Sequence, residues 1–131
     1  MPRDAVAESL ERLAERCGDP APLVHARLFA RYPGTEALFV MDAGGHVRGR
    51  MLALAFEALL DPGQGGRLAG LVGIERLNHL NIGVPPAAFD GFFPLLMETV
   101  RDALGPASTP AMDAAWRGRL AVLAAEGGQA R

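Results

Sequence analysis

The stretch LNHLNIGVPP, residues 77–86, puts a single histidine, His79, at the end of an apolar-patterned helix, just before a turn at Gly83 that leads into Pro85 and Pro86. An imidazole there has two readings. It complements the negative end of the helix dipole, or it faces a cavity between helices and ligates a metal through one ring nitrogen. A lone side chain does not hold a bare transition metal tightly. It does hold the iron of a haem, because the porphyrin already supplies four ligands. Such a group needs apolar walls and a flat aromatic neighbour. The chain carries six phenylalanines, Phe29, Phe39, Phe56, Phe89, Phe92 and Phe93. The same six would build the core of any helical bundle, so their number alone decides nothing.

Other chemistry is poorly supported. One cysteine, Cys17, excludes an internal disulfide and a thiolate metal cluster, and it is expected to pack near a helix end. The segments GGH and GQGG lack the strand, lysine and serine of a phosphate loop. Glu8, Glu11 and Glu15 run along an exposed face of the first helix rather than forming a catalytic pair, and no nucleophile has a base beside it. His46, in a glycine loop, is expected to be exposed. The formal net charge is −2 and all 13 basic residues are arginines scattered along the chain, which argues against nucleic acid as a partner.

These residues must be positioned by helices. Asp4 caps a first helix bearing Val6, Leu10, Leu13 and Ala14, closed by Gly18, Asp19 and Pro20. A second helix carries Leu23 to Ala30 and breaks at Pro33 and Gly34, with one or two further turns over Thr35–Phe39. The loop MDAGGH precedes a third helix with Leu52, Ala55, Phe56, Leu59 and Leu60 as inward candidates. DPGQGG, residues 61–66, is a loop, and RLAGLVGIERLNHL is a helix weakened by Gly70 and Gly73. A long apolar helix follows the Gly83–Pro86 turn, with Pro94 expected to kink it. A serine or threonine cap before Pro110 opens the last helix, and EGGQAR is a loose tail. Val, Ile and Thr are sparse and alternation never persists, so no strand is expected. The expectation is an all-α chain of about six to seven helices forming one domain over residues 1–131. With no signal-peptide pattern and no apolar run of membrane-spanning length, the expected location is cytoplasmic, with no membrane partner.

Three segments together resemble the globins, specifically the single-domain bacterial globins related to flavohaemoglobin haem domains. LFARYPGTEALF (28–39) resembles the second helix, its proline break and the phenylalanine on the haem face. HLNIGVPPAAFDGFFPLL resembles the proximal histidine, the following corner and the next helix. STPAMDAAWRGRLAVL resembles the last helix with its Ala-Trp pair. The resemblance covers about residues 5–125, and its specificity lies in the order and spacing of the three. It implies a three-on-three helical sandwich holding haem b, with His79 as the iron ligand, Phe39 stacked on the haem and Pro33 opening the short third helix. Ile82 and Val84 would line the proximal edge, with Phe89 and Phe93 deeper. On the distal side Leu52 would lie over the iron, a register inferred from Gly49 as a close helix crossing and from Phe56 and Leu60 on the same face. Arg48 is then the distal polar gate, or Arg50 if the register slips by two.

Two departures from the family pattern shape the expected function. The distal tyrosine of the second helix is replaced by His25, which would donate a hydrogen bond to bound gas, approach the iron as a sixth ligand or turn away into the core. The proximal tyrosine position is Phe89, and for the proximal glutamate only Glu126 is available, so the electron push of the related enzymes is weak. The implied function is reversible binding of a diatomic gas, dioxygen or nitric oxide, by a monomer or homodimer. Alternatives are a haem-free globin-fold interaction or sensor module, and an NO dioxygenase or peroxidase served by an external reductase.

Overall fold

Local hydrogen bonds at helix ends decide where each element starts. The structure, a computed structural model, describes residues 4–39, 41, 42, 44–60 and 71–126. The Asp4 carboxylate accepts from the Val6 amide at 3.0 Å and opens α1, Ala5–Cys17, and Gly18 with φ 68° closes it. The Asp19 carboxylate accepts from the Ala21 amide at the start of α2, Ala21–Arg31. Each cap satisfies a backbone donor that the helix itself leaves orphaned. Pro33–Phe39 forms a 3-10 segment. The following α-helices are α3 (His46–Leu60), α4 (Leu71–Asn81), α5 (Pro86–Leu104) and α6 (Pro110–Glu126), with a short 3-10 turn, Gly105–Ala107, after α5. The Thr109 hydroxyl accepts from the Met112 amide at 3.1 Å, the cap expected before Pro110.

Among the described residues there is no strand, and the all-helical expectation holds. The loop expected over residues 61–66, the first four residues of the glycine-rich helix and the tail after Glu126 lie outside the described residues. Pro94 does not end α5, which runs through it to Leu104. Its ring supplies no N–H to the helix ladder. No helix is long and apolar enough to cross a membrane among the described residues. Cys17 is exposed at the end of α1 rather than packed.

One buried apolar cluster joins all six helices. α1 packs on α5 and α6, α2 packs on α5 and the 3-10 segment, and α4 touches α5 and α6. α5 is the central element, with Leu95, Leu96, Val100 and Leu104 almost fully buried, each such side chain contributing about 1.5–3 kcal/mol. Trp116 of α6 is buried, and its indole N–H donates to the Ser9 hydroxyl at 2.8 Å, while that hydroxyl donates to the Val6 carbonyl. The Arg119 guanidinium donates to the Leu59 carbonyl and to both oxygens of Asp4, tying α6 to the end of α3 and the start of α1. This frame leaves α3 and α4 on two sides of a space that the core does not fill.

Candidate functional site

That space is a cavity of about 290 Å³. α3 gives it the stripe Val47, Met51, Leu54, Ala55 and Ala58, α4 gives Val72, Glu75 and His79, and α5 gives Ala88, Phe89, Phe92 and Phe93. Leu28, Thr35, Leu38, Phe39, Ile82 and Val84 also line it, so among the described residues Thr35, Glu75 and His79 are its polar side chains. Leu38, Val47 and Ile82 are also solvent-exposed. The mouth is therefore apolar, and a ligand larger than the enclosed space leaves one edge in water.

His79 stands at the end of α4. Its Nδ1 lies 2.6 Å from the Glu75 carbonyl oxygen. A carbonyl only accepts, so Nδ1 carries a hydrogen and donates it. The other ring nitrogen, Nε2, is left as the atom with which the neutral ring can ligate. The Phe89 ring lies against the imidazole, with centroids 5.1 Å apart. Phe89 has no hydroxyl to bond to Nδ1. The nearest carboxylate is that of Glu75, 3.8 Å away and beyond hydrogen-bond length.

The corner after His79 is fixed by backbone. The Val84 amide donates to the His79 carbonyl at 3.0 Å, and the Gly83 amide donates to that of Leu80 at 3.2 Å. Gly83 has φ 98°, a conformation that side chains disfavour, and the turn carries Ile82 and Val84 onto the cavity wall. A two-pronged ion pair, Arg76 to Asp90 at 2.7 and 3.0 Å, ties α4 to α5.

Of the residues picked out from sequence, His79, Phe39, Ile82, Val84, Phe89 and Phe93 come together around the cavity. Arg48, Leu52, Phe56 and His25 do not line it. The α3 wall is offset from the expected register by one residue: Val47 and Met51 face the cavity, while Leu52 is buried in the core and Phe56 packs against that core. The inferred register leaned on Gly49 as a close crossing, but a Cβ there would meet nothing within 4 Å. Arg50 is exposed, as is His46. Val47, Met51 and Ala55 share one face at i, i+4, i+8 spacing, as Arg48, Leu52 and Phe56 share the neighbouring one, so spacing alone does not choose between them.

Arg48 is held by Asp42 instead. Its guanidinium donates to the Asp42 carboxylate at 3.2 Å and to the Asp42 carbonyl at 2.7 Å. The same carboxylate accepts from the Val47 and Arg48 amides at 2.9 and 3.0 Å, capping α3. Sequence reasoning treated this aspartate only as a turn former. The Val47 amide, against an opposing effect of burial, and then the Arg48 amide and guanidinium hold the Asp42 carboxyl below the usual aspartate range. A lowered carboxyl stabilises the fold above its ordinary value, and that contribution is lost as the pH falls through the folded value. Hydrogen exchange at the Val47 and Arg48 amides is therefore expected to accelerate in acid below the usual aspartate range. Asp42→Asn is expected to weaken the acid dependence; an unchanged pH profile in that variant would exclude Asp42 as the cause.

His25 sits behind the cavity wall, only 2% exposed. Its ring lies among Phe29, Phe39 and Phe92, with centroids 6.0, 5.5 and 6.5 Å away. Burial lowers its pKa, opposed by a bond to the Ala21 carbonyl and aided by the charge of Arg48. Its Nε2 has no hydrogen-bond partner among the described residues, an arrangement that costs about 1–3 kcal/mol when nothing compensates it.

Among the described residues no group of three or more His, Cys, Asp or Glu side chains could hold a metal ion. Set against known proteins, the chain matches no family model, no curated protein and no solved structure.

Proposed function

We propose that the cavity binds a b-type haem through His79 and that the protein is a globin-like domain that reversibly binds a diatomic gas. The observation that carries this reading is one imidazole on the wall of a largely apolar cavity, whose other polar lining residues are Thr35 and Glu75, with the imidazole Nδ1 committed to a carbonyl on its own helix. The carbonyl fixes the tautomer and orients the ring, and a neutral imidazole so held is the haem ligand that the chemistry requires. The rest of the lining fits a flat apolar macrocycle: Phe39, Phe89, Phe92 and Phe93 offer ring faces and edges, and Val47, Met51, Leu54 and Ala55 close the side formed by α3.

When bound, the iron supplies an open coordination position for a small gas. This chain's residues do the remaining work. His79 holds and orients. Phe89, close to the imidazole, keeps water from it. The apolar α3 wall excludes water and offers no charge. The Thr35 hydroxyl is occupied, donating to the Tyr32 carbonyl at 2.7 Å. With Glu75 beyond hydrogen-bond length from Nδ1, the electron push expected of a peroxidase or NO dioxygenase is weak, which favours ligand binding over oxidation chemistry.

The test is hemin titration of the purified protein. An equimolar complex with a Soret band between about 400 and 430 nm is the expected result. A protein that stays colourless, and whose cavity instead takes an apolar dye or fatty acid, favours the rival reading of a haem-free sensor or interaction module.

A further inference from the structure

His25 is 2% exposed, and its Nε2 is the one buried side-chain nitrogen or oxygen among the described residues without a hydrogen-bond partner. The Ala21 carbonyl lies 3.0 Å from Nδ1 and only accepts, so Nδ1 carries the hydrogen of the neutral ring. Nε2 is then a bare lone pair, and in water such a nitrogen takes a proton at mildly acid pH. Here the ring is enclosed by those of Phe29, Phe39 and Phe92, which offer no acceptor to the N–H that would form.

The charged groups that act on the ring are Arg48 of α3, which opposes a positive charge, and Asp42 and Asp19, which favour one. Asp42 is committed to Arg48 and the first amides of α3, and Asp19 to the Ala21 amide. The 3-10 segment and α5 meet the ring with Phe39 and Phe92. Lost hydration outweighs the attraction between a cation and aromatic faces, and burial holds the His25 pKa below its ordinary 6.5. A proton on Nε2 therefore suits a ring that has left its place. Phe39 and Phe92 are also cavity wall, as is Leu28 on α2. Phe39 closes a 3-10 segment, whose hydrogen-bond geometry is poorer than that of an α-helix. Departure of the imidazole leaves a void behind these rings, into which close-packed neighbours shift.

We propose that His25 is an acid-sensitive latch on the cavity: below neutral pH its protonation drives the ring from behind Phe39 and Phe92, the wall loosens, and an apolar ligand in the cavity is released. This rests on the cavity being a ligand site, not on the ligand being haem. The stability that the neutral ring provides is whole above 6.5. It is lost as the pH falls from there through the lower folded value, because the unfolded chain binds a proton that the folded chain refuses.

The experiment compares haem-free wild type with His25→Phe. One refused proton raises the unfolding constant about tenfold between about pH 7.5 and about pH 5.5, so urea denaturation should show that much more acid loss in wild type than in the variant. The neutral dye Nile red should bind both proteins at the higher pH and leave wild type alone at the lower. The Asp42 effect lies at lower pH and is common to both. In wild type, nitrogen-15 resonances should show Nε2 bare at neutral pH, and the Phe39 and Phe92 ring resonances should move as His25 titrates. These wild-type readings decide the matter if His25→Phe does not fold. Equal acid losses in the two proteins, dye retained by wild type in acid, or an Nε2 protonated at neutral pH overturns the latch. No dye uptake at the higher pH overturns the cavity as a ligand site and the latch with it. Dye uptake without hemin uptake overturns the haem reading alone.

Discussion

His79→Ala is expected to leave a folded helical protein that gives no Soret band with equimolar hemin. Loss of a mere supporting partner around a metal ligand costs about 10–100-fold in affinity, so on the proposed reading loss of the ligand itself costs more than that. What remains is apolar contact with the cavity walls, which does not hold the iron in one position. The fold should survive because His79 is half-buried at a helix end and the core cluster does not include it. Far-ultraviolet circular dichroism checks the helix, and the hemin titration reads the binding. Added imidazole should restore the band in the variant, since the free ligand replaces the missing ring in the space it vacates. A His79→Ala protein with wild-type uptake and spectrum would transfer the ligand role elsewhere and sink the proposed function.

Trp116→Ala is expected to have the largest effect on stability. The side chain is 2% exposed and belongs to the core that joins the helices. Removing it forfeits transfer energy and leaves a cavity, together about 3–5 kcal/mol. It also strips the Ser9 hydroxyl of its donor, in a place where Ser9 is itself 1% exposed. Domains of this class have only about 5–15 kcal/mol in total, so the melting temperature should fall by about 10 °C or more. Trp116→Phe separates the two contributions: it keeps most of the buried area and loses the hydrogen bond, costing about 1–3 kcal/mol. Urea denaturation of the two variants measures both. Equal losses would show that the indole N–H, rather than its bulk, carries the effect.

The contrast between His79 and His25 shows how far sequence reasoning reaches. His79 was legible because its partners are local: an apolar helix before it, and a glycine–proline turn after it. His25 was recognised as a departure at a position of interest, yet its role turned on which ring nitrogen holds the hydrogen and which rings surround it. Those are Ala21 on its own helix and three phenylalanines from α2, the 3-10 segment and α5. Glu75 carries no mark in the sequence, where a carboxylate one turn before a histidine is ordinary on a helix surface. It became part of the site only when α4 was set against the cavity.

The amino-acid sequence by itself determined the all-helical class, the Asp4 cap, a serine or threonine cap before Pro110, the break at Pro33 and the corner at Gly83. It also marked His79 and its aromatic company. These depend on interactions within about four residues along the chain, where side-chain type and spacing suffice. Tertiary structure alone decided the face that α3 turns to the cavity, the diversion of Arg48 to Asp42, and the seclusion of His25 behind Phe39 and Phe92. Each residue turns a helix by about 100°, so an offset of one position exchanges Leu52 for Met51. That choice is made by the summed packing of several helices, which no short window of sequence contains.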